Sequence, residues 1–380
     1  MTIPSCAAVP LVDCLDDLED PRVERARLHS LHDILVTTIL AVICGADSWT
    51  DVELFGRSKH DWLSAFLALP HGIPSHDTYG RVFALLEPEA LERCFSRWVQ
   101  SLASLLPGEV VAIDGKTARR SHDRWLGVPA LHVVSAWAAE AQLVLGQRKT
   151  DARSNEITAI PQLLALLELQ GCIVTIDAIG CQTAIAEDLR ARGADYVLSL
   201  KQNQPHLYEA VVEMFAHERA EAFDGCPHTF TETVGKGHGR IETRRCWAID
   251  DPDYRRYVDP DRAWPGLRSL VMVEAERRLE GRTTTETRYF ISSLPAQDKR
   301  LPRAVRRHWG IENSLHWVLD IAFREDESRI RTGHAAHNMA LLRRLALNLL
   351  RRDRQARGGL AARRKRAGWD HRYLRQLLNP

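Results

Sequence analysis

The sequence has no Cys-x-x-Cys pair, no long apolar run and no signal-like N-terminus, and each absence excludes a class of protein. Its eight cysteines are scattered singly, so we expect reduced thiols and no structural zinc site. The strongest apolar stretch, 34–46, is too short to span a bilayer and is typical of a buried helix. The first residues lack the basic start and apolar core of a signal peptide. We therefore expect a cytoplasmic protein with no membrane partner.

The composition is that of a globular protein, but the charge is unevenly distributed. Hydrophobic residues make up 45% and charged residues 27% of the 380, enough for two or three domains. The net charge of +1 conceals a basic C-terminal segment, where only Asp353 and Asp370 oppose ten basic residues: Arg351, Arg352, Arg354, Arg357, Arg363, Arg364, Lys365, Arg366, Arg372 and Arg375. Such a segment indicates a polyanion partner such as nucleic acid, although many basic tails only keep a protein in solution.

Residues 1–105 have helical periodicity throughout. Apolar residues recur at helical spacing from Leu31 to Val42, and Gly45 follows as a stop signal. Further helices are predicted at 49–56, 59–67, from 78, and at 89–106, with Ser75 or Asp77 as the N-cap of the helix near residue 78. Short helices joined by tight turns can form a DNA-binding helix-turn-helix, with 75–83 as the recognition segment. A helical bundle without such a role is the alternative.

The period changes after Gly108. The pattern predicts strands at 110–114, 131–138 and 142–147, a helix at 156–169, a strand at 172–177, a helix at 183–192 and a strand at 196–200. The order β-β-β-α-β-α-β is that of a ribonuclease H-like domain, in which the first and fourth strands are neighbours. That fold would bring the ends of strands 110–114 and 172–177 together.

A β-rich segment then interrupts the α/β alternation. A helix at 207–219 precedes predicted strands at 229–233, 241–249, 267–277 and 284–292, and helices resume at 302–323 and 334–352. We therefore predict an α/β fold of four regions. They are a helical N-terminal domain (1–105), an α/β domain formed by 106–204 and 296–352, a β-rich insertion (205–295) before the glutamate-bearing helix, and a basic C-terminal tail (353–380).

Two of the predicted strands end on an aspartate. Asp114 closes the first apolar run and Asp177 closes the fourth, and open α/β sheets place their sites at the carboxyl ends of strands. Taken singly, each aspartate could equally be a turn former. Their combination with a downstream glutamate, Glu312, is more specific. Three carboxylates gathered at one sheet edge could hold two Mg²⁺ ions for phosphodiester chemistry, because magnesium prefers oxygen ligands and needs no cysteine.

The segment around Glu312 carries a polar stripe. His308, Glu312, His316 and Asp320 follow one another at four-residue spacing, so they would share one slowly drifting face of a helix. A solvated helix face is the alternative explanation for Glu312 alone. The stripe together with the neighbouring Asn313 favours a site.

Short motifs lie in order along nearly the whole chain. They occupy 112–116 (Ala-Ile-Asp-Gly-Lys), 154–161, 174–182, 193–197 (Gly-Ala-Asp-Tyr-Val), 201–204 (Lys-Gln-Asn-Gln), 238–240 (His-Gly-Arg), 289–294 and 308–326, which opens with His-Trp-Gly-Ile-Glu-Asn and closes with Phe-Arg-Glu-Asp. In these motifs the chain resembles the DDE transposases of bacterial insertion sequences, in the branch of H-repeat-associated proteins. The resemblance is far more specific than three isolated acidic residues.

The resemblance implies a ribonuclease H-like catalytic core and a triad of Asp114, Asp177 and Glu312 that binds two Mg²⁺ ions, with Mn²⁺ as a substitute. It implies DNA as the partner, both the terminal inverted repeats of an element and its target, bound by a homodimer or higher oligomer. In the broader group of these transposases a tyrosine and an arginine precede the glutamate, and a lysine follows it. Here those positions hold Val305, His308 and Leu319, so their roles do not carry over.

Further polar residues are candidates for contacting DNA. Lys201, Asn203 and Gln204 follow the strand at 196–200 at the same predicted sheet edge, where a plain polar loop is the alternative. The remaining candidates are Lys116 beside the first aspartate, Lys236, His238 and Arg240 in the insertion, and Arg306, Arg307, His308, Asn313 and His316 around the glutamate.

Three hypotheses about function stay open. The first is a transposase that cuts the ends of its own element and joins them to target DNA. The second is a retained or domesticated relative that binds DNA without mobilising an element. The third is a phosphoacceptor signalling domain, since Asp177 and Lys201 end neighbouring strands as in receiver domains; it leaves Glu312, the insertion and the basic segment unexplained.

Overall fold

A computed structural model describes residues 10–102, 107–123, 125, 127–150, 155–237, 239–280, 282–353 and 357–378. The first part of the chain is helical, as predicted, with α1 (Leu11–Leu15), α2 (Leu31–Cys44), α3 (Trp49–Ser58), α4 (His60–Leu63), α5 (His76–Leu85) and α6 (Pro88–Leu102). The Ser30 side chain accepts the Asp33 backbone N–H to begin α2. Gly45 ends that helix at φ 120°, a backbone angle that favours glycine.

Strands and helices then alternate. They are β1 (Val110–Ala118), β2 (Leu131–Ala138), β3 (Leu143–Lys149), α7 (Glu156–Leu164), β4 (Ile173–Ile176), α8 (Thr183–Ala191), β5 (Asp195–Leu200) and α9 (Pro205–Ala220). The second β-rich part holds β6 (His228–Gly237), β7 (Arg240–Ile249), α10 (Pro252–Val258), β8 (Ser269–Leu279) and β9 (Arg282–Ser292). The chain continues with α11 (Arg300–His308), a π-helical turn (Glu312–His316), α12 (Trp317–Phe323), a short 3₁₀ turn (Glu325–Glu327), α13 (Ala335–Arg352), α14 (Leu360–Trp369) and α15 (His371–Leu378).

The chain divides into two compact units. Unit 1 comprises Met1–Ser104, Gly115–Asn155 and Glu312–Pro380, and unit 2 comprises Leu105–Asp114 and Glu156–Ile311. Strand β1 contributes its first half to unit 2 and its second half to unit 1. Asp114 is therefore the last residue of one unit-2 segment, and Glu312 is the first residue of a unit-1 segment.

Unit 2 is built on a mixed sheet in the order β1-β4-β5-β9-β8-β7-β6. β4 runs parallel to both β1 and β5, and its four residues are all buried, as expected for a strand covered on both faces. β9 pairs antiparallel with β5, from Val197 opposite Ser292 to Leu200 opposite Tyr289. The β-rich part that we predicted as an insertion thus extends the same sheet within this unit.

Unit 1 is centred on α13, which is buried along nearly its whole length. Two buried asparagines tie it to its neighbours: Asn338 donates to the carbonyls of Phe83 and Leu86, and Asn348 exchanges two hydrogen bonds with the backbone of Val144 on β3. Unsatisfied buried amides are costly, so these pairings fix how α13 packs against the helical region and β3.

The segment predicted as a basic tail is folded. It contains α14 and α15, whose apolar residues Ala367, Tyr373, Leu374, Leu377 and Leu378 are buried. Arg364 is buried too, and its guanidinium donates to the carbonyls of Ile43 and Val42 at the end of α2. Such a cation at a helix C-terminus is stabilised by the helix dipole. The prediction of a basic tail missed both helices, because the eight basic residues of 353–380 obscured the apolar stripe.

The predicted helix at 302–323 is also interrupted. α11 ends at His308, and the π-helical turn from Glu312 separates it from α12. No single helix in the described parts of the chain is long and apolar enough to cross a membrane. Taken together, α2 and α3 would be long and apolar enough, but this pair of helices is bent by 96°.

The packing of α15 gives the first prediction. Leu374→Ala removes a fully buried side chain and should lower the free energy of unfolding by about 2–5 kcal/mol. Gln376→Ala, on the exposed face of the same helix, should change it by less than about 0.5 kcal/mol. Urea denaturation of both variants measures the difference. Two equally small effects would mean that α15 does not pack against the rest of unit 1.

Candidate active site

Asp177 directly follows β4, and Asp114 lies inside β1, just past the part of β1 that pairs with β4. The prediction that the first strand ends on Asp114 was wrong, because β1 continues to Ala118. The parallel pairing of β1 with β4 aligns Ile113 with Ile176, so each aspartate directly follows the last registered pair. Adjacent strands run roughly 5 Å apart, so the backbones of these two half-buried residues are neighbours. The predicted adjacency of the first and fourth strands is therefore confirmed.

The surroundings of Asp177 disfavour its negative charge. Burial raises the pKa of its carboxyl group, the nearby Glu156 raises it further, and the backbone N–H groups of Gly180 and Ile179 and the charge of Lys201 lower it. The Ile179 N–H donates to a carboxylate oxygen of Asp177 at 3.2 Å. A cation beside this carboxylate would offset both the desolvation and the repulsion from Glu156.

The loop after Asp177 is held by two residues that we predicted to contact DNA. Asn203 donates its side-chain N–H to the Ala178 carbonyl, and Gln204 donates to the Cys181 carbonyl at 2.9 Å. The two amides thus fix the turn that begins at Asp177. Lys201 is exposed and follows β5, the strand next to β4. From the sequence we did not foresee that a side-chain amide after a strand can donate a hydrogen bond to a backbone carbonyl of a neighbouring loop.

His308, the last residue of α11, packs against β4. Its Nδ1 is 3.1 Å from the hydroxyl of Thr175 in the middle of β4, and the residue is only 8% exposed. Burial lowers its pKa to about 4, assisted by the charges of Arg288 and Lys201, so the ring is neutral at pH 7. The predicted DNA contacts Arg306 and Arg307 lie in the same last turn of α11, exposed and half-buried respectively. In the sequence, the polar Thr175 inside an otherwise apolar strand could have indicated a buried hydrogen-bonding partner.

Glu312 begins the π-helical turn in unit 1. Glu312 and Asn313 are exposed, whereas His316 at the end of the turn is half-buried. Burial is the main cause that lowers the pKa of His316 to about 3, and the charges of Arg344 and Lys116 act in the same direction. π-helical turns are rare and are frequent at functional sites. Four residues turn slightly more than a full circle in an α-helix and slightly less in the wider π-helical turn. These two deviations offset each other between Glu312 and Asp320, so we expect both side chains to project from the same side.

Lys116 occupies the second half of β1 and is 9% exposed. Its ammonium group is 2.7 Å from Asp320 and 3.0 Å from Asp326, with Glu325 at 3.8 Å. We predicted this lysine as a DNA contact, and did not foresee its three acidic partners. The available signal was the Glu-Asp pair in the motif that closes at 326.

The remaining candidates lie on a hairpin of unit 2. Lys236 on β6 and Arg240 on β7 are exposed near its tip, where Gly237 is paired with Arg240. His238, the third predicted contact there, lies outside the described residues.

The carboxylates of Asp114 and Asp177 suit a hard divalent cation by their chemistry. Among the residues that the structure describes, no group of three or more His, Cys, Asp and Glu side chains is placed to hold a metal ion. Asp114 and Asp177 nevertheless offer two carboxylates from neighbouring backbone positions. Magnesium is usually bound through one or two carboxylates while it keeps several waters, so this pair fits it.

Comparison with known proteins is consistent along the chain. A family described as Transposase DDE domain matches residues 106–349, and one described as DDE_Tnp_1-associated matches 12–99. "Putative transposase YncI" of Escherichia coli O157:H7 is 40% identical over 371 residues, 97% of this chain and 94% of that protein. "H repeat-associated putative transposase YhhI" of Escherichia coli (strain K12) is 39% identical and covers 92% of each chain.

Two further similarities are more limited. "Inactive transposase YbfQ" of Escherichia coli (strain K12) is 49% identical over 55 residues, 14% of this chain and 66% of that protein. The solved structure of a piggyBac transposase synaptic complex with hairpin DNA aligns with a TM-score of 0.43 at 10% identity, over 96% of this chain and 74% of that one. A likeness of that size supports no conclusion.

Burial of His308 predicts a pH dependence of stability. Its pKa is lower in the folded chain, about 4, than the ordinary value of 6.5, so unfolding takes up a proton between those values. The stability that the neutral ring contributes is complete above pH 6.5 and is lost as the pH falls toward 4. Between pH 7 and pH 5 the loss should be on the order of 2 kcal/mol.

Urea unfolding of His308→Gln at several pH values checks this, because the variant should lose that part of the dependence. His206→Gln, an exposed position on α9, is the matched control and should keep it. An unchanged pH slope in His308→Gln would show that the ring is not held neutral in the folded protein.

Proposed function

The chain belongs to the transposase DDE domain family, and we propose that it cuts the ends of a DNA element and joins them to target DNA through divalent-metal chemistry. The observation that carries this proposal is the register of the parallel strands β1 and β4, in which Asp114 and Asp177 each directly follow the last paired residues, Ile113 and Ile176. The strand order and this pairing support a ribonuclease H-like core.

We assign the metal ligands as Asp114, Asp177 and Glu312. The strand register supports the two aspartates, and the sequence motif around Glu312 supports the glutamate as the third carboxylate. Mg²⁺ is the proposed ion, with Mn²⁺ as a substitute. Two bound divalent cations would activate the attacking oxygen and stabilise the leaving oxygen of a phosphodiester.

The protein side chains around the pair have distinct tasks in this proposal. The Asn203 and Gln204 amides hold the loop after Asp177, which keeps its carboxylate at the end of β4. Lys201 would bind a phosphate of the substrate, a role that its exposed position directly after β5 supports. The neutral ring of His308 contacts the Thr175 side chain and thereby supports β4. Small displacements of such supports are costly, because catalysis depends on alignment of the reacting groups.

DNA binding is assigned to exposed polar and basic residues of both units. Those that are exposed among the predicted contacts are Lys201, Asn203, Lys236, Arg240, Arg306 and Asn313, whereas Gln204, Arg307 and His316 are half-buried. Sequence recognition is assigned to α5, which buries Tyr79, Val82 and Phe83 and exposes His76 and Arg81. A homodimer or higher oligomer bound to the two element ends completes the proposal.

A relative that binds DNA without mobilising it is the second candidate. A short match to a protein named "Inactive transposase YbfQ" is the observation on which this candidate rests. All three proposed ligand positions are occupied by carboxylates here, which favours the active enzyme. Incubation with a linear DNA flanked by the gene's own end sequences separates the candidates, because only the first yields joined strands.

Removal of a single carboxylate should abolish chemistry and leave binding intact. Asp114→Asn, Asp177→Asn and Glu312→Gln should each lower strand cleavage at least about 100-fold at near-constant side-chain volume, because the ligands supply most of the transition-state stabilisation. Activity should persist in manganese and vanish in calcium, whose looser geometry misplaces the attacking oxygen.

Cleavage of labelled end DNA, with DNA affinity measured in parallel, tests this prediction. Asp188→Asn is the matched control, since Asp188 lies on α8 and forms a half-exposed ion pair with Arg192 of the next turn. Near-normal cutting by Asp177→Asn in magnesium would contradict the assignment.

The exposed basic residues of α14 and α15 should contribute to binding without reading sequence. Replacing Lys365, Arg366, Arg372 and Arg375 by glutamine keeps the buried side chains of these helices in place. For each side chain that binds a phosphate, its replacement should flatten the log–log salt dependence of DNA affinity by about 0.9. The decrease in affinity should be equal for element ends and random duplexes. Titrations at several salt concentrations measure it. An unchanged slope would mean that these residues bind no phosphates.

A further inference from the structure

Two sequence motifs that the proposed chemistry leaves unused meet in the interior of unit 1. One supplies Lys116, two residues after Asp114 on β1. The other supplies Glu325 and Asp326, which form the short turn after α12. Together with Asp320 on α12, these acidic residues surround the lysine at 2.7–3.8 Å. One ammonium group thus contacts both the helix that follows Glu312 and the turn that ends this helix.

The contact continues deeper into the unit. Glu325 is 2% exposed and pairs with Arg344 of α13 at 2.8 Å, and the Arg344 guanidinium also donates to the Ser135 hydroxyl on β2. Arg119 pairs with Asp326 from the surface side at 3.1 Å. Three carboxylates are therefore matched by three cations, Lys116, Arg119 and Arg344. Removing one partner of such a buried group leaves an uncompensated charge, so the members form as a set.

This arrangement argues against Lys116 as a phosphate contact. The lysine is 9% exposed, and a phosphate would have to displace carboxylates that already lie at hydrogen-bonding distance. The same arrangement fixes where the helix after Glu312 lies against the second half of β1. Asp320 lies on α12, which directly continues the π-helical turn that begins at Glu312, so a contact that fixes α12 also fixes the backbone that carries Glu312.

We propose that Lys116 is a positioning residue, which locks the helix beginning at Glu312 onto β1 through Asp320 and Asp326 so that the Glu312 carboxylate is held in one orientation. The inference rests on the proposed role of Glu312 as a metal ligand. It assigns Lys116 no contact with DNA.

Amide hydrogen exchange tests the lock without relying on catalysis. In Lys116→Met, exchange across 312–326 should become at least about tenfold faster, while α5 and α6 in the same unit stay protected. Lys116→Arg keeps the charge and should restore most of the protection. Arg148→Met is the matched control, because it breaks another buried ion pair of unit 1, with Glu92, and should leave 312–326 unchanged. Unaltered exchange across 312–326 in Lys116→Met would overturn the inference.

Cleavage assays separate this inference from the proposed function. If the wild-type protein cuts element ends, Lys116→Met should cut roughly tenfold or more slowly and need a higher Mn²⁺ concentration for half-maximal rate, with the salt slope of DNA binding unchanged. A slope lowered by about one unit would show a phosphate contact and overturn the inference. A wild-type protein that cannot cut, combined with faster exchange in Lys116→Met, would refute the proposed function and leave the lock supported.

Discussion

The parallel pairing of β1 with β4 is the constraint on which the rest of the carboxylate site depends. Because Ile113 is registered against Ile176 in the buried, paired part of the two strands, Asp114 and Asp177 occupy neighbouring backbone positions directly after the pairing ends. Burial and a neighbouring glutamate raise the pKa of Asp177, so the folded chain holds this carboxylate in surroundings that a cation would relieve. The loop amides of Asn203 and Gln204 and the buried ring of His308 maintain that geometry from two directions.

In unit 1, ion pairs rather than neutral hydrogen bonds orient the backbone near a proposed functional residue. The interior of this unit holds carboxylates and cations matched in number around Lys116 and Arg344. Apolar packing alone would tolerate small rotations of the helix after Glu312, whereas a buried ion pair does not, because any displacement exposes an unpaired charge. Both units therefore use buried polar groups for orientation, next to the residues proposed to act on DNA.

Local patterns in the sequence predicted the strands of the α/β part well. The run before Asp177 and the run before Asp114 are apolar and β-branched, which indicates strands, and their pairing was inferred from the order of elements in a ribonuclease H-like fold. The continuation of β1 to Ala118 was not predicted, because the apolar run stops at Asp114. Three further features escaped prediction for identifiable reasons. The helices at 360–378 carry their apolar residues among many arginines. The π-helical turn at Glu312 produces no periodicity of its own. Lys116, Asn203 and Gln204 look exposed in sequence because polar residues reveal their partners only when distant segments meet.

The central claim is that Asp114 and Asp177 jointly hold a divalent metal ion. Electron paramagnetic resonance of Mn²⁺ titrated into the protein bound to an element-end duplex measures this directly, since bound and free Mn²⁺ give different signals. The account predicts bound Mn²⁺ in the wild-type complex and its loss in Asp114→Asn and in Asp177→Asn, with the Asp188→Asn complex behaving as wild type. Equal Mn²⁺ binding by the wild-type and Asp177→Asn complexes would contradict it.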